Sequence, residues 1–181
     1  MSVSRRHPIS APALAAVLLA VTIMVMLPPP IAAQTLTTQY TMIYFAEQAD
    51  LDRFLRSIGG GGIFGGSADD GNLVRKRIDG IIEQVMDILD MRPQHMRITV
   101  FLVRGLGNVE AAYHGSGQLG PAPPAFYDHS SQNITVSVDD VTEGMLAHEI
   151  AHAVICHHFR TPPPRKMQEI LAQYVDRHLK D

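Results

Sequence analysis

Several structural devices are scarce or missing in this chain, and each absence excludes something. Of its 181 residues only one is a cysteine. No intrachain disulfide can form, so the fold must rest on an apolar core and on any metal it binds. Trp is absent and aromatics are 6 % of the residues, which leaves stacking on bases or sugars without its usual side chains. The net charge is −3 and the body of the chain has no long basic run, so a phosphate-binding nucleic-acid surface is not expected. No internal repeat is visible and no G-x-x-x-x-G-K-[ST] loop occurs; the glycine-rich stretch from Gly59 to Ser67 reads as a flexible surface loop. What is present, 46 % hydrophobic residues, is ordinary for a globular protein and argues against intrinsic disorder.

The N-terminus differs from the rest. Arg5, Arg6 and His7 precede an uncharged run from Ile9 to Leu27, then Pro28-Pro29-Pro30 and the small residues Ala32-Ala33. A basic start, an apolar middle and a small-residue end make residues 1–33 a secretory signal peptide or, if uncut, an N-terminal anchor tethered through residues 9–27. Either outcome places residues 34–181 outside the cytoplasm, secreted, periplasmic or at a membrane surface.

Within 34–181 the periodicity alternates between two and 3.6 residues. Residues 40–45 and 96–103 read as strands. Residues 47–58 and 69–91 read as helices, the second ended by Pro93. A short helix and loop fill 105–120. Residues 125–128 and 134–138, separated by the polar turn His129-Ser130-Ser131-Gln132-Asn133, read as a hairpin feeding the next helix. Asp139-Asp140 followed by Glu143 resembles a capping box, and the helix then runs to about Phe159. Thr161-Pro162-Pro163-Pro164 forces a turn, and a last helix from Arg165 is expected to bury Met167, Ile170, Leu171, Tyr174 and Val175. The order predicts one α+β domain with a small mixed sheet.

Inside the penultimate helix stands His148-Glu149-Ile150-Ala151-His152. By composition, an H-E-x-x-H arises by accident in about 1–2 % of such chains, so its surroundings decide its meaning. Two histidines four apart share a helix face and can reach one tetrahedral ion. Glu149 projects beside them, where a carboxylate can take a proton from an attacking water. A catalytic zinc needs a third protein ligand, and Glu169 on the following helix is the candidate. Cys156, two turns from the motif, reads either as a further ligand or as a small buried apolar residue. For an oxyanion-stabilising donor, Tyr127, His129, His157, His158 and Tyr174 are the available types.

The set His148, Glu149, His152 and, seventeen residues on, Glu169 within Gln168-Glu169-Ile170-Leu171-Ala172-Gln173-Tyr174-Val175 resembles the gluzincin metallopeptidases, in the form of a small peptidase-MA-like domain. The resemblance covers about residues 134 to 176. It implies a zincin-like fold, Zn2+ held by His148, His152 and Glu169, Glu149 as general base, and a peptide or protein substrate. It also implies that a strand before the motif helix, taken as Ile134 to Val138, forms the edge along which an extended peptide lies. Ile170 stands where many relatives have Gly, and Gln173 where an acid that supports a ligand histidine is common; Gln173 is the expected substitute for that acid. The expected function is an extracytoplasmic zinc metallopeptidase. The alternatives are a catalytically silent zinc-binding module of the same fold and an anchored interaction domain without metal.

Overall fold

The computed structural model describes residues 33–59 and 68–180; the expected signal or anchor over 1–32 and the body of the glycine-rich loop lie outside the described residues. The described residues form an α+β fold. Its strands are β1 (Gln34–Thr37), β2 (Thr41–Phe45), β3 (Ile98–Val103), β4 (Ala125–Asp128) and β5 (Asn133–Ser137). Its helices are α1 (Gln48–Ser57), α2 (Ala68–Leu89), α3 (Leu106–Gly115), α4 (Glu143–His158) and α5 (Arg165–His178). No described helix is long and apolar enough to cross a membrane.

The strands make one mixed sheet in the order β1-β2-β3-β5-β4, with β2, β3 and β5 parallel and the outer two antiparallel to their neighbours. Side chains alternate across it as a period of two demands. Ile43, Val100, Ile134 and Val136 point into the core, where Phe54, Ile78, Ile82 and Val85 from α1 and α2 meet them. On the opposite face Phe126 packs edge-on against Tyr113 of α3, ring centroids 5.2 Å apart. The core side therefore belongs to α1, α2 and α4, and α3 sits behind the β4–β5 hairpin.

Several expectations are corrected by this architecture. Residues 134–138 do not form an edge: β5 is paired on both sides, and the edge on that side of the sheet belongs to β4, β1 being the other. Helix α2 stops at Leu89, ahead of Pro93, because Asp90 adopts φ 50° and Met91 N–H caps back to Met86. The N-cap of α4 is Thr142, whose side chain accepts from Met145 N–H at 3.3 Å. The two aspartates proposed for that role are engaged elsewhere, Asp139 with Arg53 and Asp140 with the Ser137 hydroxyl.

The rotation of α5 also differs. Its buried residues are Gln168, Ala172 and Val175, joined by Leu179 just beyond its end. Met167, Ile170 and Tyr174 are exposed. Helix α4 is enclosed on most sides, burying Leu146, Ala147, Ile150, Ala151, Ala153, Val154 and Ile155. Three alanines in that set let α2, α5 and β4 approach its backbone closely, and this brings the two helices and the sheet edge to one point.

Candidate metal centre

His148 and His152 sit one turn apart on α4, half-buried, with ring centroids 5.0 Å apart. Glu169, near the start of α5, turns Oε2 towards both: 3.7 Å to His148 Nε2 and 3.6 Å to His152 Nε2. One ligand atom from each of the three residues lies within 4.8 Å of the others. Two donors about 2.0–2.1 Å from a zinc ion at the tetrahedral angle stand roughly 3.3–3.5 Å apart. The two spacings from Glu169 exceed that by a few tenths of an ångström and the third is held within 4.8 Å, so these three side chains can close on a zinc ion by small side-chain shifts. Glu169 is not embedded among apolar residues as its sequence neighbours imply; it lies on an exposed flank of α5 and still faces both imidazoles.

The supporting contacts fall on residues that the motif does not name. Gln173 does not touch a histidine; its Nε2 donates to Glu169 Oε1 at 3.0 Å, leaving Oε2 for the imidazoles. The acid beside the first histidine is Asp176, whose Oδ2 lies 2.9 Å from His148 Nδ1. Glu169, Gln173 and Asp176 follow helical spacing and share one face, a stripe readable only once Glu169 is known to face the site. Burial by itself lowers the His148 pKa, but the Asp176 hydrogen bond and the charges of Glu149, Asp176 and Glu169 outweigh it, and the net shift is upward.

His152 is the opposite case. Burial, aided by His148, lowers its pKa to about 4, so its imidazole is neutral at ordinary pH. Its Nδ1 is buried and meets no partner of full hydrogen-bond geometry. Gln168, itself buried with Nε2 donating to the Pro163 carbonyl at 2.7 Å, acts on this ring in the raising direction, more weakly than burial lowers it.

Glu149, which lines one cavity with His148, also reaches the sheet edge. Its Oε2 accepts the Tyr127 backbone N–H of β4 at 2.7 Å. Burial pushes its pKa up to about 7, against the lowering effects of His148 and of that N–H. The strand pairing explains why the N–H is available. Ser137 N–H donates to the Pro124 carbonyl, so Phe126 and Asp128 bond to β5 while Ala125 and Tyr127 present their backbone groups to the free edge. A cavity of about 430 Å³ opens beside this edge, lined by Pro124, Ala125, Met145, His148, Glu149 and Asp176 among others.

Cys156 does not join the ligand group. It lies 3.3 Å from His129 Nδ1 and 3.6 Å from Gln168 Oε1, and burial raises its thiol pKa, so it is a neutral packing neighbour. Of the five residues weighed as oxyanion donors, His129 stands beside the ligand set, its ring centroid 6.0 Å from that of His152. The Tyr127 hydroxyl is buried and its pKa is driven upward by burial. Tyr174 lies on the exposed side of α5 against His178, and His157 bonds the Ala153 carbonyl at the C-terminal end of α4.

No family model matches the chain, and no curated protein or solved structure matches it.

Proposed function

We propose that the chain is an extracytoplasmic zinc metallopeptidase of zincin-like fold that hydrolyses peptide bonds. The observation that carries this reading is the convergence of three ligand atoms, those of His148, His152 and Glu169, beside a half-buried carboxylate and an open cleft. Zinc, when bound, supplies Lewis acidity at the position that three protein ligands leave open. Glu149 is the general base. With Oε2 held by Tyr127, its Oε1 takes the proton of the attacking water, and a carboxyl with a pKa near 7 can return that proton to the leaving amine. The free edge of β4 aligns an extended peptide by strand addition, using the outward backbone groups of Ala125 and the Tyr127 carbonyl, the Tyr127 N–H being held by Glu149. His129 is the donor proposed to face the developing oxyanion. The extracytoplasmic location rests on the charge and hydropathy pattern of residues 1–33.

The test separates metal from chemistry. Purified residues 34–181 should hold about one zinc per chain, and His148→Ala with His152→Ala should abolish it. Glu149→Gln should keep the zinc and lose hydrolysis of a broad peptide library by about 10²–10⁴-fold. Stoichiometric zinc in the double variant refutes the ligand assignment. A Glu149→Gln variant that cleaves like the wild type refutes the base, and a zinc-loaded wild type that cleaves nothing favours the silent zinc-binding module.

A further inference from the structure

A second cavity, of about 470 Å³, lies at the other end of the β4 edge, lined by Tyr113, Gln118, Asp128, His129, Ser130 and Arg165 among others. It is one imidazole away from the metal centre, because His129 lines it and also faces the His152 ring. The chemistry of its charged residues is uneven. Asp128 is satisfied: Ser130 N–H at 3.0 Å, the Ser130 hydroxyl at 2.8 Å and the Ser131 hydroxyl at 2.5 Å all donate to its carboxylate. Those contacts outweigh burial and hold its pKa down, so it keeps its charge while its oxygens are engaged by the turn. Arg165, exposed at the first position of α5, makes no hydrogen bond or ion pair with any described residue. Of the two charged groups lining this cavity, the one without a hydrogen-bond partner among the described residues is a guanidinium, whose planar fork suits a carboxylate.

The strand direction says which part of a substrate would reach it. Strand β4 runs from Ala125, at the first cavity, to Asp128, at the second. Tyr127, tied to Glu149, marks the reacting point between them. A peptide added antiparallel, the commoner arrangement, enters from the Arg165 end and leaves along the Pro124 end. Residues preceding the cut bond then lie beside Asp128 and the turn that begins at His129.

We propose that this cavity is a specificity site for an acidic side chain, held by Arg165, two or three residues on the N-terminal side of the bond that is cut. The proposal rests on the peptidase reading above and names its substrate class: extended peptides carrying Asp or Glu upstream of the cleavage point.

The test uses the full-length chain loaded with zinc and fluorogenic decapeptides that differ only in carrying Glu, Gln or Lys at each of the three positions before the cut bond. Wild type should favour Glu over Lys by about five-fold in kcat/KM at one of those positions. Arg165→Gln should remove the preference, Arg165→Glu should invert it, and 1 M salt should flatten it. Glutamate is welcome in the first turn of a helix, so Arg165→Glu should leave α5 folded. A parallel measurement, fluorescence anisotropy of the same peptides on Glu149→Gln, reads binding without turnover. Cleavage with no charge preference, or a preference untouched by Arg165→Glu, overturns the acidic site and leaves the peptidase standing. Absent cleavage with Arg165-dependent binding of the Glu peptide supports the site and refutes the peptidase. Neither cleavage nor charge-dependent binding overturns both.

Discussion

Replacing Asp176 by Ala should weaken zinc binding without unfolding the protein. The carboxylate meets His148 Nδ1 at 2.9 Å, and this contact is what holds the imidazole with its Nε2 towards Glu169 and His152. Partners of this kind typically contribute a factor of 10–100 in metal affinity. Asp176 is 40 % exposed, so water replaces part of what is lost, and the expected loss lies near the lower end. That is roughly ten-fold, or about 1.4 kcal/mol. Asp176→Asn keeps an acceptor at the same place and removes its charge, so it should lose less, about three-fold. The assay is competition for zinc against a chelator of known affinity, with thermal unfolding of the zinc-free chain as control. Glu110→Ala on α3 removes an acid of equal charge that pairs with His114 rather than with a metal-site histidine. An Asp176→Ala affinity within two-fold of wild type, or an equal loss in Glu110→Ala, refutes the positioning argument.

Two further outcomes test the frame around the site. Thr142→Ala removes the cap on Met145 N–H; the 3.3 Å contact is long, so the expected cost is about 0.5–1 kcal/mol, a fall in Tm of roughly 2–4 °C. If Asp139→Ala or Asp140→Ala costs more, the cap lies where the sequence pattern put it. Asp128→Ala should cost about 0.5–1 kcal/mol near neutral pH, the turn being largely solvated. Asp128 has a folded pKa below its ordinary value of 3.8, so its contribution is present above that value and is lost as pH falls through the folded one. Denaturant titrations of wild type and variant should therefore converge in acid, and a gap that persists at about pH 2 refutes the assignment.

Legibility in the sequence follows physical range. Elements whose apolar residues recur over many positions, α2 and β3 above all, are readable because one buried face dictates the period. The polar strand β1 escapes notice, since Gln34-Thr35-Leu36-Thr37 has one apolar residue and borders the apparent cleavage point. The rotation of α5 is misread because its sequence offers two apolar stripes. The choice between them is made by tertiary contacts: Gln168 bonding the Pro163 carbonyl, Ala172 and Val175 lying in the core, and Asp176 reaching His148. The motif histidines and Glu149 are legible from local spacing, and Glu169 from its place on the next helix. Asp176 and Arg165 are not, because each becomes informative only when two helices and a strand have been placed against one another.

That convergence also bears on why the proposed base sits on a helix facing a sheet edge. Burying a carboxylate is costly unless something compensates it. Here burial raises the Glu149 pKa to about 7, while the Tyr127 N–H and the neighbouring imidazole pull it down. The N–H is one that β4 does not spend on β5, so compensating the carboxylate costs the sheet no ladder bond. On the proposed reading, the strand that aligns the peptide and the group that takes the proton are joined by one 2.7 Å hydrogen bond between rigid elements. Misplacing a substrate relative to its base by an ångström can cost two orders of magnitude in rate. A direct bond from edge strand to base makes their spacing a property of the packed core, independent of any loop.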